Sequence, residues 1–296
     1  MRRWGSTVYH CLFRNDIDQT LKTETQGDGW ARKKLDDILS LAAKQVPFYK
    51  PYKQVPFSLW PTVDENMVHE NRDQFQIRSQ DSIKALSSDL SVLSRPELSL
   101  CRQLKKNKKI IYFDHIVGYY CQHQKLCFPK ELYWIEKAWV DEEHLRFAPV
   151  VTTLTRRKSL LIRFRLNQIF ISEDSPCECQ THAFTVANTI STADEVLYLP
   201  HLFEKRSLPV FRDELEQFFK QFYSIQVIKI VQQSLSKWRI HIAKNSIDLS
   251  EYESDLSDKF ETFLMVKQVK CPEIRLIEDE TQFESDASFS VVKQYS

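Results

Sequence analysis

Glycine is scarce in this chain and unevenly placed. Only four of the 296 residues are glycine, and the last of them is Gly118, so the final 178 residues contain none. Loops that cradle phosphate groups need glycine, because it lets the backbone approach a phosphate closely at positive φ. The glycine loops of Walker-type nucleotide-binding proteins, Rossmann proteins and protein kinases are therefore excluded, together with nucleotide chemistry of those kinds.

A strong net charge and a long apolar run are also lacking. The 41 Lys and Arg nearly balance the 40 Asp and Glu, so the net charge of +1 gives no global field to attract nucleic acid or an anionic membrane. No stretch reaches the roughly 18–20 apolar residues needed to cross a bilayer. The basic N-terminus lacks the apolar core of a secretory signal. The seven cysteines lack the spacing of a disulfide framework. We expect a cytoplasmic protein that binds neither nucleic acid nor membrane.

The composition that is present is typical of a globular protein, with 42% hydrophobic and 27% charged residues. The apolar spacing from Trp30 onward predicts an amphipathic helix. This helix should end near Gln45, since Pro47 disfavours helical geometry in the residue before it. Residues 63–75 are predicted to form a second, short helix with Asp64 as its N-cap.

Strand-forming segments follow, and helices and strands alternate in the C-terminal third. β-branched and aromatic runs predict strands at 109–114, 132–140, 150–154 and 160–171, and the last two should form a hairpin around the turn TRRK. Near the C-terminus the order β-α-β-β-α-β is typical of a small two-layer α+β domain. We therefore predict a mixed α/β protein with domains over 1–192 and 193–296.

The strand LLIRFRLNQIFI carries two arginines in alternation with apolar residues. A regular strand would place Ile162, Phe164 and Leu166 on one face and Arg163 and Arg165 on the other. Two guanidinium groups on one face could bind a phosphate or a carboxylate ligand. The alternative is that both arginines pair with nearby acidic side chains.

Cysteine and histidine cluster in the segment CECQTH, which contains Cys177, Cys179 and His182. Zinc takes thiolate and imidazole ligands in a tetrahedral arrangement, and the segment CQHQKLC at 121–127 could complete such a site in space. Paired zinc-binding cysteines usually have two residues between them, whereas Cys177 and Cys179 are separated by one. Zinc is therefore not expected, and cysteines without a metal are the favoured alternative.

Several segments, taken in order, resemble those of one enzyme family. LDDILSLAAKQVPFYKPY followed by FSLWPTVDENMVHENRDQF is similar to a helix, a VPYY loop and an NF helix of that family. RFAPVVTTLTRRKSLLIRFRLNQIF is similar to its PxVTDL…PxIRYRLND core, and CECQ and ISTADEVLYL are similar to its CxCG and GRxDDxL motifs. The family is the adenylate-forming superfamily of AMP-forming, acyl-activating enzymes, in its phenylacetate–coenzyme A ligase and CapK-like branch. The likeness is discontinuous and runs from about residue 31 to the end.

The resemblance implies a remnant of an adenylate-forming large domain followed by a small α+β domain. Members of the family bind ATP and Mg²⁺ and convert a carboxylic acid into an acyl-adenylate. Here only residues 76–113 separate the NF-like segment from the next core strand, and they contain no glycine. A single βαβ unit takes about 30 residues or more, so most of the nucleotide-binding half is missing.

The family's functional positions fall on altered residues in this chain. Asp114 lies near the position at which the family has its metal-binding glutamate and would be a shortened substitute for it. Gln168 lies at the position at which the family has a ribose-binding aspartate. Ser191 and Thr192 lie where the family has a Gly-Arg hinge pair. Lys293 lies near the position of the family's C-terminal lysine but is out of register with it. The resemblance thus marks a degenerate nucleotide site at Asp114, Arg163, Arg165, Gln168 and Asp194.

Loss of these groups together predicts loss of most transition-state stabilisation for adenylate formation. We expect a protein that is inactive in ATP-dependent carboxylate activation, and ATP and Mg²⁺ are implied as cofactors by the resemblance alone. It would act as a binding, regulatory or scaffold partner of an active acyl-activating enzyme or an acyl-carrier protein. One alternative is a residual ligase or acyltransferase-type enzyme that takes a pre-activated acyl-adenylate or acyl thioester. Another is a fragment that completes its missing half with a second polypeptide.

Overall fold

The structure, a computed structural model, divides into two compact units, residues 1–189 and 190–296. The boundary expected from the sequence, between 192 and 193, lies three residues from this division. The described residues are 29–75, 110–113, 115–155, 160–173, 177, 183–222, 227–244, 250–282 and 289–294. The two units are described separately, and β8, which spans the division, is taken with the first.

The first described element of the first unit is helix α1, Gly29–Gln45. Its inward face repeats at helical spacing and is built from Ala31, Leu35, Ile38 and Ala42, all of which are buried. The helix ends where Pro47 was expected to end it, because Val46 is held in an extended conformation at φ −105° and ψ 115°. The prediction of this helix is confirmed.

The segment after α1 is rich in proline and aromatic residues and folds as short 3-10 helices, Pro47–Tyr52 and Phe57–Leu59. Tyr49 stacks on Trp60 with ring centroids 5.4 Å apart, and its hydroxyl donates to the carbonyl of Ile162 at 3.1 Å. This segment is therefore part of the core of the first unit.

Helix α2, Glu65–Glu70, is shorter than the predicted helix over 63–75. Asp64 is its N-cap and accepts from the backbone N–H of Met67 at 2.8 Å, which confirms the predicted cap. The helix ends early because the side chain of Asn71 donates to the carbonyl of Met67 at 3.0 Å and so takes up one of its last acceptors. A 3-10 turn, Arg72–Gln74, follows.

One sheet dominates the first unit, with the strand order β1-β2-β3-β8-β7-β5-β4 and with β6 paired to β5. The strands are β1 Ile110–Phe113, β2 Ile116–Tyr120, β3 Leu126–Pro129, β4 Tyr133–Trp139, β5 Arg146–Thr153, β6 Phe164–Arg165, β7 Ile169–Ser172 and β8 Ala183–Ser191. β1, β4 and β5 overlap the strands predicted at 109–114, 132–140 and 150–154.

The strand predicted over 160–171 is wrong in its middle. Only Phe164–Arg165 and Ile169–Ser172 are strand, and they pair with different parts of β5. Arg163 adopts a left-handed backbone conformation with φ 47°, which interrupts the alternation of side chains. Arg163 is consequently as buried as Ile162 and Phe164, and the predicted separation of arginines from apolar residues fails there.

The described elements of the second unit follow the order β-β-α-β-β-α-β-β, which contains the predicted order β-α-β-β-α-β with one further strand at each end. Its four-stranded sheet has the order β13-β12-β11-β14, and the first strand of the predicted order pairs instead with its predecessor in a two-stranded sheet. The elements are β9 Leu197–Pro200, β10 Ser207–Val210, α3 Arg212–Phe219, β11 Val227–Ser234, β12 Lys237–Lys244, α4 Ser250–Val266, β13 Glu273–Gln282 and β14 Ser290–Lys293.

The core of the second unit lies between its helices and its sheet. Leu256, Phe260 and Leu264 form the buried stripe of α4 at a spacing of four residues. Alternate residues of β12, beginning with Trp238, face the same core, and the rings of Trp238 and Phe260 lie 6.0 Å apart. This is the two-layer α+β arrangement that the sequence predicts. No helix in the described part of either unit is long and apolar enough to span a membrane.

Gly118 has a specific packing role in β2. A Cβ atom at this position would lie 2.9 Å from Leu126 Cδ1, 2.9 Å from Phe128 Cε1 and 3.3 Å from the carbonyl oxygen of Cys127. Leu126 and Phe128 are themselves fully buried, so they have little room to move.

We predict that Gly118→Ala lowers the free energy of unfolding by about 1–3 kcal/mol, because it overpacks this part of the core. The measurement is urea denaturation followed by circular dichroism. Gly29→Ala is the matched control, since a Cβ at Gly29 meets nothing within 4 Å. Equal unfolding midpoints for the two variants would contradict the packing role.

Candidate functional site

The positions marked by the sequence are distributed over both units. Arg163, Arg165 and Gln168 lie in the first unit, and Asp194 lies in the second. Asp114, Cys179 and His182 lie outside the described residues. The site is therefore considered as two clusters, one around Arg163 and one around the turn that contains Asp194.

Arg163 forms a buried crosslink in the first unit. Its Nη2 lies 3.2 Å from Glu136 Oε1, and both side chains are almost fully buried, at 3% and 4% exposure. Its Nη1 donates to the backbone carbonyls of Ser58, at 2.7 Å, and Trp60. The guanidinium thus joins the sheet to the aromatic segment, and its donors are directed at groups of the protein itself.

The backbone around Arg163 strengthens this junction. The N–H of Arg163 donates to the hydroxyl of Thr152 at 3.0 Å. The N–H of Val63 donates to the carbonyl of Arg163 at 2.9 Å, and the N–H of Arg165 donates to the carbonyl of Val63 at 2.8 Å. Val63 therefore forms an isolated parallel β-bridge with Phe164.

Glu136 is a functional candidate that the sequence reasoning missed. It is a single acidic residue on β4, in the run YWIEKAW, where its neighbours Ile135 and Ala138 are buried. Burial raises the pKa of its carboxyl group to about 7, although the attraction and hydrogen bonding of Arg163 act in the opposite direction. The available signal was an acidic residue within a strand of mostly aromatic and apolar residues, in which Lys137 is the only other charged residue.

Arg165 also pairs with an acid of the first unit. Its Nη2 lies 3.1 Å from Asp64 Oδ2, with both side chains partly exposed. The same aspartate caps α2 through its other carboxylate oxygen. The sequence left two alternatives for Arg163 and Arg165, which were ligand binding and pairing with acidic side chains. In the structure both arginines pair with acidic side chains.

The cluster of the second unit surrounds a 3-10 turn, Ala193–Glu195. Glu195 Oε2 accepts from the backbone N–H of Thr192 at 3.0 Å and lies 3.3 Å from its hydroxyl. Glu195 Oε1 accepts from Arg212 Nη1 at 2.7 Å. The sequence TADE has the spacing of a capping box, so the bond between Thr192 and Glu195 could have been predicted from the sequence. No sequence pattern indicates that Arg212 is the partner of Glu195.

Lys293 completes this cluster from β14. Its Nζ donates to the carbonyl of Ala193 at 3.3 Å and lies 5.6 Å from the centroid of the Tyr198 ring. The parallel pairing of β14 with β11 brings this C-terminal lysine beside the turn. The residues enclose an open cavity of about 540 Å³ lined by Thr192, Asp194, Glu195, Arg212, Val291, Val292 and Lys293.

The charges of this cavity cancel, because two carboxylates face one guanidinium and one ammonium group. Glu195 and Arg212 already form an ion pair, with side chains that are 18% and 27% exposed. A cavity without net charge provides no strong attraction for a polyphosphate. Its lining residues instead stabilise the turn, and the cavity itself could bind a small polar molecule.

The described positions do not fit ATP in the way that the resemblance would require. By the resemblance, Gln168 has an amide where the family has a carboxylate for the ribose hydroxyls. The guanidinium of Arg163 bonds to Glu136 within the protein. No group of three or more metal-binding side chains occurs within the described ranges. We derive no catalytic step through a nucleotide or a metal from these residues.

Comparison with known proteins gives partial structural matches and no sequence match. No protein-family model and no curated protein sequence matches it. Among solved structures, 2-hydroxyisobutyryl-CoA ligase bound to R3-HIB-AMP is similar at 14% identity and a TM-score of 0.40, covering 61% of this chain and 40% of the ligase. GH3.15 acyl acid amido synthetase is similar at 12% identity and a TM-score of 0.36, covering 58% of this chain and 35% of the synthetase.

A domain of a phenylacetate-coenzyme A ligase from Bacteroides vulgatus ATCC 8482 is also similar, at 14% identity and a TM-score of 0.24. The match covers 35% of this chain and 96% of that domain. This chain spans about 40% of the length of the 2-hydroxyisobutyryl-CoA ligase. The TM-scores of these three matches are below 0.5, so the matches assign no function to this chain.

The buried carboxyl group of Glu136 predicts a pH dependence of stability. Its pKa in the folded protein, about 7, lies above the ordinary value of 4.5, so the folded state binds the proton more tightly than the unfolded state. Stability from this group is therefore fully present below about pH 4.5 and is lost as the pH rises toward 7. At 1.36 kcal/mol per pKa unit, the loss amounts to about 3 kcal/mol.

We predict that Glu136→Gln removes most of this loss between pH 5 and pH 7.5. The measurement is the free energy of unfolding by denaturant at a series of pH values. Glu131→Gln is the matched control, because Glu131 is exposed just before the same strand. A pH profile of Glu136→Gln that ran parallel to that of the wild type would show that Glu136 does not cause the dependence.

Proposed function

We propose that this chain is a shortened relative of the adenylate-forming ligases that does not carry out ATP-dependent carboxylate activation. It acts instead as a binding, regulatory or scaffold partner in an acyl-activation pathway. The observation that carries the proposal is the use of Arg163, whose guanidinium pairs with Glu136 and donates to two backbone carbonyls. A guanidinium buried in this way stabilises the fold and does not bind a phosphate group.

Two further observations support the loss of catalysis. In the second unit, Lys293 donates to the carbonyl of Ala193, so the lysine nearest to the family's catalytic position stabilises a turn. In the first unit, Gln168 replaces the carboxylate on which the family's ribose contact depends. Electrostatic groups of this kind contribute several kcal/mol each to transition-state stabilisation, and their combined loss makes adenylate formation extremely slow.

Pyrophosphate exchange tests the lack of catalysis. The purified protein, with ATP, Mg²⁺ and a panel of aliphatic, aromatic and hydroxy carboxylic acids, should exchange no more labelled pyrophosphate than a heat-denatured control. Carboxylate-dependent exchange above that control would overturn the proposal. If exchange is seen, a second chromatography step identifies its source, because exchange by this chain should co-elute with the chain whereas exchange by a contaminating ligase should separate from it.

Ligand binding separates a scaffold from a residual enzyme. A scaffold without a substrate site should show no change in melting temperature with AMP, a non-hydrolysable acyl-adenylate analogue or coenzyme A. Stabilisation by the acyl-adenylate analogue with no pyrophosphate exchange would favour an enzyme that acts on a pre-activated acyl group. That result would replace the scaffold role with an acyl-transfer role.

The expected partner is an active acyl-activating enzyme or an acyl-carrier protein. Analytical ultracentrifugation of the purified chain with each candidate should reveal a complex of defined stoichiometry. The chain alone should sediment as a compact species, since each unit has its own hydrophobic core. An unstable species that becomes compact only with a second polypeptide would indicate instead a fragment that completes its fold in a complex.

A further inference from the structure

Two buried cysteines of the first unit face each other. The Sγ atoms of Cys121 and Cys177 are 3.5 Å apart, although the residues are 56 positions apart in the chain. Their exposures are 6% and 8%, and they pack with Tyr119 and Cys127 in one small apolar cluster. The nucleotide-site resemblance gives this pair no role, and neither cysteine is among the residues of the two clusters described above.

The sheet accounts for the position of Cys121. It directly follows β2, and its backbone N–H donates to the carbonyl of Lys125 at 3.0 Å in the tight turn before β3. β2 pairs with β3, and β3 pairs antiparallel with β8, with Leu126 opposite Val186 and Pro129 opposite Ala183. The turn therefore lies at the end of β3 away from the first residue of β8. Cys177 precedes β8 by six residues, and its sulfur reaches that of Cys121.

The distance between the two sulfur atoms is short enough to suggest a covalent bond as an alternative to the present contact. A disulfide has an S–S length of about 2.05 Å, so the sulfurs need to approach each other by about 1.5 Å. Cys127 is engaged elsewhere, as its Sγ lies 3.5 Å from the carbonyl of Lys125. A tetrahedral metal site needs four ligands, and the described residues supply no group of three.

We propose that Cys121 and Cys177 are a redox pair that forms a reversible disulfide by exchange with a small-molecule disulfide. The thiolate of one cysteine attacks the small disulfide, which gives a mixed disulfide and releases one thiol. The thiolate of the other cysteine then displaces the second small thiol. The two protein thiols lose two electrons and two protons, and the small disulfide is reduced to two thiols.

The disulfide ties the turn after β2 to the segment that leads into β8. It closes a long loop, and long loops are those in which a crosslink restricts the unfolded chain most. The oxidised protein should therefore be more resistant to unfolding than the reduced protein. The inference is independent of whether the chain binds an acyl-adenylate or a partner.

Peptide mapping tests the pair directly. The full-length protein is equilibrated in glutathione buffers from fully reduced to fully oxidised, the remaining thiols are alkylated, and the protein is digested without reduction. The expected result is a linked peptide containing Cys121 and Cys177, which disappears on treatment with dithiothreitol. The oxidised protein should also melt about 5 °C or more above the reduced protein.

Four variants provide the controls. Cys121→Ser and Cys177→Ser should each abolish both the linked peptide and the shift in melting temperature. Cys127→Ser and Cys271→Ser should retain both, since Cys271 is exposed in the second unit. The map of the wild-type protein decides the outcome even if a serine variant fails to fold.

Three results would overturn the proposal. One is a map in which Cys121 or Cys177 is linked to another cysteine, such as Cys127. A second is a protein that keeps both thiols reduced in fully oxidised glutathione while it is heated through its melting transition. The third is stoichiometric zinc in protein purified without a histidine tag, released when Cys121 or Cys177 is replaced, which would assign the pair to a metal site.

Discussion

The first unit depends on the placement of one charged side chain, that of Arg163. The guanidinium is buried against Glu136 on β4 and donates to carbonyls of the aromatic segment that precedes the sheet. Removing a charge from water is costly unless partners replace the lost hydration, so this residue fixes the distance between the sheet and that segment. The left-handed backbone at Arg163 turns the side chain inward and breaks the strand at the same point. Conformation, ion pair and loop anchoring therefore form one interdependent arrangement.

The same constraint has a consequence for chemistry. A guanidinium that is enclosed by a carboxylate and two carbonyls has no freedom to follow a ligand, whereas a ligand-binding arginine needs donors that reach open space. The second unit repeats this theme, because Glu195, Arg212 and Lys293 hold the turn at Ala193–Glu195. In both units, polar groups at or beside the positions that the resemblance marks as functional stabilise the fold. This is the physical basis for proposing a role in binding and not in adenylate formation.

The local features of this fold could be predicted, and the long-range ones could not. The end of α1 followed from Pro47, and the cap of α2 followed from Asp64, since both depend on residues within a few positions. The partner of Arg165 is the same Asp64, 101 positions away, and no local pattern indicates it. The strand predicted over 160–171 failed because hydrophobic alternation assumes a regular backbone, which Arg163 does not have. The pairing of Cys121 with Cys177 likewise depends on which strands become neighbours in the sheet.

The sequence by itself determined the composition of the two units, the order of their elements and the absence of glycine-rich phosphate loops. It also determined the inward faces of α1 and α4, because helical periodicity is a property of the chain alone. Only the tertiary structure decided that β14 pairs with β11, so that Lys293 reaches the turn at Ala193. It alone decided that Arg163 faces Glu136. The reason is that periodicity reports which residues avoid water, whereas the partner of a buried charge depends on distances that exist only after the sheet has formed.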